Sequence, residues 1–259
     1  MESKKKLLIV GNVIAVFATI IVNALANIIP IGGNYTGDIS DNIPNLFVPA
    51  GLTFAIWGVI YVLILLFVGY QLAQLFGKLD AKSDYLDKIS FWFILGAIGN
   101  IVWIFLWHYE QIVLSIIPIL VLFISLLMAY VRLDIGNSDA SKKERYFVHL
   151  PISVYFGWLT VAVIANVTAM LVTLGVGDLF LGEVVWTVLV IVVALILTLL
   201  VLYQKHDVGY SIVIIWALLG IVIKQYDSSY LLIVLTAGIS IAVIAIFMLF
   251  QIVQRKQVI

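Results

Sequence analysis

The chain has no cysteine, five prolines and three histidines in 259 residues. Without thiols there can be no disulfide, no thiolate nucleophile and no thiolate metal site. His108, His149 and His206 fall at or near predicted helix ends and share no ligand-like spacing, so no bound metal is expected. Charge is equally scarce. Only 11% of residues are charged and the balance is zero, which leaves no basic surface for nucleic acid. No Asp, Glu, Lys or Arg lies in the middle of any apolar run, with Glu183 and Lys224 only at the edges. Proton relays, coupled pumps and voltage sensors need ionisable groups at depth, at about 2.5–3.5 kcal/mol each on insertion scales. A retinal protein needs a mid-helix lysine, also lacking here. No GxxxxGK[ST] loop occurs, so a permease role, the alternative functional reading, would require a separate ATPase chain. No nucleophile with a base, and no ligand set, gathers at one depth, and the chain is not expected to be an enzyme.

What is present is apolar. Hydrophobic residues make up 64% of the chain and mean hydropathy is +1.20, well above the roughly 45–50% apolar content of soluble domains. The composition is that of an all-α integral membrane protein. A bilayer core of about 30 Å takes about 20 apolar residues per helix. That rule divides the chain into eight predicted spans: 7–29, 50–77, 89–108, 112–131, 147–174, 184–204, 210–224 and 230–253. The seventh is the shortest, covering about 22 Å at about 1.5 Å per residue. Basic residues test the count, because Lys and Arg near helix ends collect on the cytoplasmic side. With eight spans and both termini cytoplasmic, Lys4, Lys5, Lys6, Lys78, Lys82, Lys88, Arg132, Lys142, Lys143, Arg145, Lys205, Arg255 and Lys256 share one face, and Lys224 alone falls outside. The N-terminus also imitates a signal peptide, with Lys4 to Lys6, an apolar run and Ala24-Leu25-Ala26, but the run exceeds the usual 7–15 residues of a signal core. An uncleaved first helix is the expectation.

The longest outer loop, 30–48, is rich in Gly, Asn, Asp and Ser and reads as a turn-rich cap, either a plain connector or a lid. Trp92, Trp107 and Trp186 lie within about a turn of predicted helix ends, where interfacial Trp belongs, whereas Trp57, Trp103, Trp158 and Trp216 lie deeper. Three spans each carry a face of such rings. Phe54, Trp57 and Tyr61 step by three and four residues, as do Asn100, Trp103 and Trp107, and so do Pro151, Tyr155, Trp158, Ala162 and Asn166. Two readings stand open. The faces pack against one another, with Asn100 and Asn166 as interhelical glue averaging about 0.6 kcal/mol per hydrogen bond, or they line a pocket for a flat apolar ligand.

The spacing resembles a known family. Pro49, Trp57 and Tyr61 form P-x7-W-x3-Y, Asn100, Trp103 and Trp107 form N-x-x-W-x-x-x-W, and Tyr155, Trp158 and Asn166 form Y-x-x-W-x7-N. Their order and helix numbers are similar to those of the TspO/MBR family, the tryptophan-rich sensory and translocator proteins. The resemblance covers the chain to about Leu174 and implies a five-helix bundle over 1–176, while the three further predicted spans from Val184, assigned to 177–259, have no counterpart in the short family members. It also implies a receptor or carrier whose pocket takes a porphyrin- or haem-type tetrapyrrole or another hydrophobic small molecule. On that reading the ligand-binding residues are Pro49, Phe54, Trp57, Tyr61, Asn100, Trp103, Trp107, Tyr155, Trp158 and Asn166, with no obligatory cofactor. The expected setting is the lipid bilayer of a prokaryotic plasma membrane, multi-pass, with homo-oligomerisation left open and no nucleic-acid partner. Departures accompany the match: the paired prolines reduce to Pro49, Gly51 and Ala55 stand where the family has Trp and Pro, and the fifth-span proline moves to Pro151. Sterol-recognition patterns at Leu127, Tyr130 and Arg132 and at Val201, Tyr203 and Lys205 are those of ordinary helix ends, where Tyr and basic residues belong anyway.

Overall fold

The computed structural model describes residues 2–79, 84–176 and 181–257. Lys82 of the charge map and the expected start of the second segment at 177 lie outside the described residues, as do the side chains of Arg255 and Lys256. The helices are α1 (Ser3–Ile28), α2 (Thr36–Asn42), α3 (Ile56–Leu75), α4 (Tyr85–Ile89), α5 (Trp92–His108), α6 (Ile112–Arg132), α7 (Lys142–Glu144), α8 (Leu150–Thr173), α9 (Glu183–Lys205), α10 (Val208–Gln225) and α11 (Leu231–Gln257). Short 3₁₀ turns span Ile31–Gly33 and Gly51–Ala55, a π-helical turn at Arg145–His149 leads into α8, and no strand occurs among the described residues.

Among the described residues, seven helical stretches are long and apolar enough to cross a membrane: Ser3–Ile28, Gly51–Leu75, Ile112–Arg132, Lys142–Thr173, Glu183–Lys205, Val208–Gln225 and Leu231–Gln254. The eighth predicted span, α5, has 17 residues. Its start is pushed back from 89 because Ser90 takes a left-handed φ of 51°, which ends α4 before α5 begins. The span that looked weakest in sequence, α10, reaches 18 residues because Asp207 caps it, its carboxylate accepting from the Tyr210 N–H at 3.2 Å. Helix α1 shows how these elements are turned. Its buried face runs Ile9, Asn12, Val16, Thr19, Asn23 and Ala26, while Leu7, Ile14, Phe17, Ile21 and Ile28 are exposed. Amides inside and large aliphatic side chains outside is the arrangement hydrocarbon surroundings demand, since lipid offers a polar group nothing.

The chain forms two compact units. The first comprises Met1–Ile39 and Trp57–Phe156. Within it α5 packs on α6 and on α1. The α5–α6 approach depends on small residues. A Cβ on Gly99 would fall 2.8 Å from the Pro118 carbonyl oxygen and 3.0 Å from the Leu122 nitrogen, both backbone atoms, and one on Gly96 would fall 3.2 Å from Ser125 Cβ. At the basic end of the unit Tyr85 is fully buried and donates to the Gln74 carboxamide oxygen at 2.5 Å. Burial holds its phenol above the ordinary range, with the neighbouring Tyr70 and Glu144 acting in the same direction. Lys4 and Lys5 reach Asp87 at 3.6 and 3.1 Å.

The second unit comprises Ser40–Ile56 and Gly157–Ile259, in which α9, α10 and α11 pack mutually. The stretch from Asp41 to Ala55 is fastened to α10. The Ala50 N–H donates to the Gly220 carbonyl at 3.0 Å, the Trp216 indole N–H to the Thr53 carbonyl at 2.8 Å, the Gln225 amide to the Leu46 carbonyl at 3.1 Å, and Lys224 pairs with Asp41 at 3.1 Å. Gly220 permits this contact, since a Cβ there would lie 2.7 Å from Pro49 Cβ and nearer still to Thr53 Oγ1.

Candidate ligand-binding site

Six of the ten predicted ligand-binding residues belong to the first unit. Trp57 lies 5.7 Å from Tyr61 in a stacked arrangement, interplanar angle 26°, and 5.9 Å from Tyr155 edge-on at 72°. The i, i+4 spacing on α3 creates the first contact, and the start of α8 delivers the second. Such ring pairs contribute about 0.5–1.5 kcal/mol beyond area burial. Asn100 donates to the Tyr155 hydroxyl at 3.2 Å and accepts from Asn23 at 2.6 Å. Asn23 in turn also donates to the Thr19 carbonyl one helical turn back at 2.8 Å. Rings and amides thus form one continuous chain, Tyr61–Trp57–Tyr155–Asn100–Asn23, running across α3, α8, α5 and α1. Asn100 and Asn23 are fully enclosed, whereas Trp57 and Tyr61 are half-buried.

Beside this chain, Val16, Thr19, Phe93, Gly96, Leu122 and Tyr155 border a cavity of about 10 Å³, room for about one water. The buried Thr19 and Ser125 hydroxyl oxygens have no hydrogen-bond partner among the described residues. A second amide link, Asn12 to Gln71 at 3.1 Å, ties α1 to α3 lower in the unit.

Trp103 and Trp107 stack at 5.4 Å and 24°. The Trp107 indole donates to the Thr36 carbonyl at 3.2 Å. The adjacent His108, fully buried, holds the same segment. Its Nδ1 faces the carbonyls of Asn34 at 3.0 Å and Ile31 at 3.3 Å, and its Nε2 lies 2.8 Å from the Thr36 hydroxyl. Carbonyls only accept, so Nδ1 carries a proton. The beginning of the 30–48 loop is therefore clasped to the end of α5.

The other four predicted residues belong to the second unit. Phe54 meets Trp158 edge-on at 5.8 Å and 84°. Pro49 is buried beside Gly220 and Thr53. Asn166 is buried two turns beyond Trp158 on α8. A cavity of about 280 Å³ in this unit lies among residues 44–47, α8 and α9, and none of the ten lines it.

Sequence reasoning missed Asn23 and His108 as site residues. The signal for Asn23 was present, since Asn12, Thr19 and Asn23 recur at spacings of seven and four on one face of an otherwise aliphatic helix. For His108 no signal existed, because its partners are main-chain carbonyls of a loop.

Helical stretches of bilayer length, amides turned inward, aliphatic side chains turned outward and clustered rings define an integral, multi-pass membrane protein of a kind suited to holding an apolar ligand. The family model described as "TSPO-like protein" matches residues 8–250, nearly the whole chain, so the protein belongs to the TSPO-like family. The match runs through α9, α10 and α11 as well as the earlier helices. Comparison with curated proteins and with solved structures finds no match.

Proposed function

We propose that the protein is a membrane receptor or carrier, not a catalyst, for a flat hydrophobic molecule of the tetrapyrrole class. The observation that supports this most is the Tyr61–Trp57–Tyr155 ring cluster, whose phenol is oriented by the Asn100–Asn23 amide pair. Half-buried rings supply stacking surface for a macrocycle, and amides fixed in a low-dielectric interior orient it without any deep charge. Trp103 and Trp107 extend the same kind of surface toward the clasped loop. Pro49, Phe54, Trp158 and Asn166 are proposed as ligand residues from their motif positions.

The proposal includes eight crossings with both termini cytoplasmic. Helix α5 then spans as a short segment of about 26 Å, at about 1.5 Å per residue. The basic residues favour this arrangement, since only Lys224 is left on the outer side. On this topology the 30–48 loop lies on the outer face.

Porphyrin titration followed by intrinsic tryptophan fluorescence tests the function. Saturable quenching is expected, with apparent affinity at least tenfold weaker in Trp57→Ala and in Trp158→Ala. Non-saturable quenching, or quenching that is the same in both variants as in the parent chain, would refute it.

A further inference from the structure

The cavity of about 280 Å³ in the second unit has a different character from the ring cluster. Its walls are aliphatic, formed by Val163, Val167 and Leu171 of α8 and by Val190 and Val193 of α9, with the Trp186 indole beside them. The spacing explains the wall. Residues 163, 167 and 171 lie one helical turn apart, so one stripe of α8 faces one stripe of α9. At about 1.5 Å per residue, the α9 side runs about 15 Å from Glu183 to Val193. The volume lies just below the roughly 300–1,000 Å³ of ordinary small-molecule pockets, so the cavity suits a chain better than a macrocycle.

Its polar groups are few. Asn45 is already spent: its carboxamide oxygen accepts from the Phe47 N–H at 3.0 Å and its nitrogen donates to the Ala165 carbonyl. The Thr187 hydroxyl donates to the Glu183 main-chain oxygen at 2.8 Å and the Thr168 hydroxyl to the Ile164 main-chain oxygen at 2.9 Å. That leaves the Glu183 carboxylate, exposed at the first residue of α9, and no cation pairs with it among the described residues. Among the described residues no Lys, Arg or His lines the cavity. The N-terminal helix dipole offsets part of the carboxylate charge, being worth about half an elementary charge, so the mouth stays net negative.

We propose that this cavity is a second lipophilic site, separate from the ring cluster, that takes a single-chain amphiphile with a protonated amine head. The alkyl chain lies between α8 and α9, and the ammonium sits at Glu183. The carboxylate favours a positive head there and disfavours the carboxylate or phosphate head of an anionic lipid.

The test is quenching of the detergent-solubilised full chain by dodecylamine brominated near its chain end, with the equally brominated dodecanoate as comparison. Saturable quenching by the amine is expected, with the saturable component absent in Trp186→Phe. Glu183→Gln should weaken the amine about fivefold, the most an exposed charge pair supports, and the carboxylate ligand should bind at least that much more weakly than the amine. Val167→Phe fills the cavity and should abolish saturable quenching while the helical circular dichroism stays unchanged. Equal quenching by amine and carboxylate, or a Glu183→Gln variant identical to the parent, would overturn the proposal in favour of simple lipid-tail occupancy. Saturable binding that survives in Val167→Phe would overturn it as to place. Because the reporter is Trp186 and the altered residues lie outside the ring cluster, these outcomes are distinguishable from failure of the porphyrin titration at Trp57.

Discussion

Asn23→Ala offers a direct measure of the amide chain that fixes the ring cluster. Asn23 donates to the Asn100 carboxamide at 2.6 Å and to the Thr19 carbonyl at 2.8 Å, and it is buried together with Asn100. Removing it strands the Asn100 oxygen in a dry interior, a desolvation penalty of about 1–3 kcal/mol in general. In membranes the penalty shrinks, because the unfolded chain in lipid also finds partners: interhelical bonds there average about 0.6 kcal/mol, with a maximum of about 1.7. A contact this short between two enclosed amides belongs in the upper part of that range, so the loss expected for Asn23→Ala is about 1–2 kcal/mol. The informative quantity is the coupling. In a double-mutant cycle of Asn23→Ala with Asn100→Ala, measured by reversible unfolding in mixed micelles, the interaction should be about 1–1.7 kcal/mol. Tyr155→Phe, which removes only an acceptor for Asn100, should couple to Asn23→Ala more weakly, because the two touch only through Asn100. Additivity of Asn23→Ala and Asn100→Ala within about 0.3–0.5 kcal/mol would refute the continuous chain.

Two other outcomes follow from the first unit. Gly99→Ala places a Cβ 2.8 Å from the Pro118 carbonyl oxygen, where no flexible side chain can yield, so α5 and α6 must separate. Overpacking of this kind should cost about 1–3 kcal/mol and lower the thermal midpoint of the detergent-solubilised protein, whereas an unchanged midpoint would contradict the close approach. Tyr85 should ionise after the exposed tyrosines in a spectrophotometric titration, identified by difference against Tyr85→Phe. Its phenol is raised by burial, so the unfolded chain releases this proton first. The associated stability is intact below about pH 10, the ordinary phenol value, and falls as pH rises beyond it. A Tyr85 phenol that ionises together with the exposed ones would be inconsistent with the buried site.

The helices were legible in sequence for a simple reason: a membrane segment must be about 20 residues long and apolar, and almost nothing else in a chain is. Boundaries were less legible where local chemistry intervened. The left-handed Ser90 shortens α5 and the Asp207 cap lengthens α10, and neither effect is visible to a hydropathy window. The ring pairs within one helix, Trp57 with Tyr61 and Trp103 with Trp107, followed from i, i+4 spacing alone. Contacts between helices did not. That Asn100 meets Asn23, or that Trp216 donates to Thr53 from 163 residues away, depends on which faces the bundle brings together. The aliphatic cavity left no mark in the sequence either. Val and Leu stripes on α8 and α9 look the same whether they pack on each other or stand apart, and Trp186 read as an ordinary interfacial residue.

The clasp at His108 bears on timing. The 31–36 segment is held by the imidazole through Asn34 and Thr36, by the Trp107 indole and by the Asn34 amide on Glu110, four side-chain hydrogen bonds at about 0.5–1.5 kcal/mol each. Releasing all four costs roughly 2–6 kcal/mol, which leaves the segment detached from about three per cent to far below a tenth of a per cent of the time. A guest admitted by that detachment would enter and leave only during those openings. Weakening the latch, as in His108→Ala, would then shorten residence and speed uptake together, with little change in how much is bound at equilibrium.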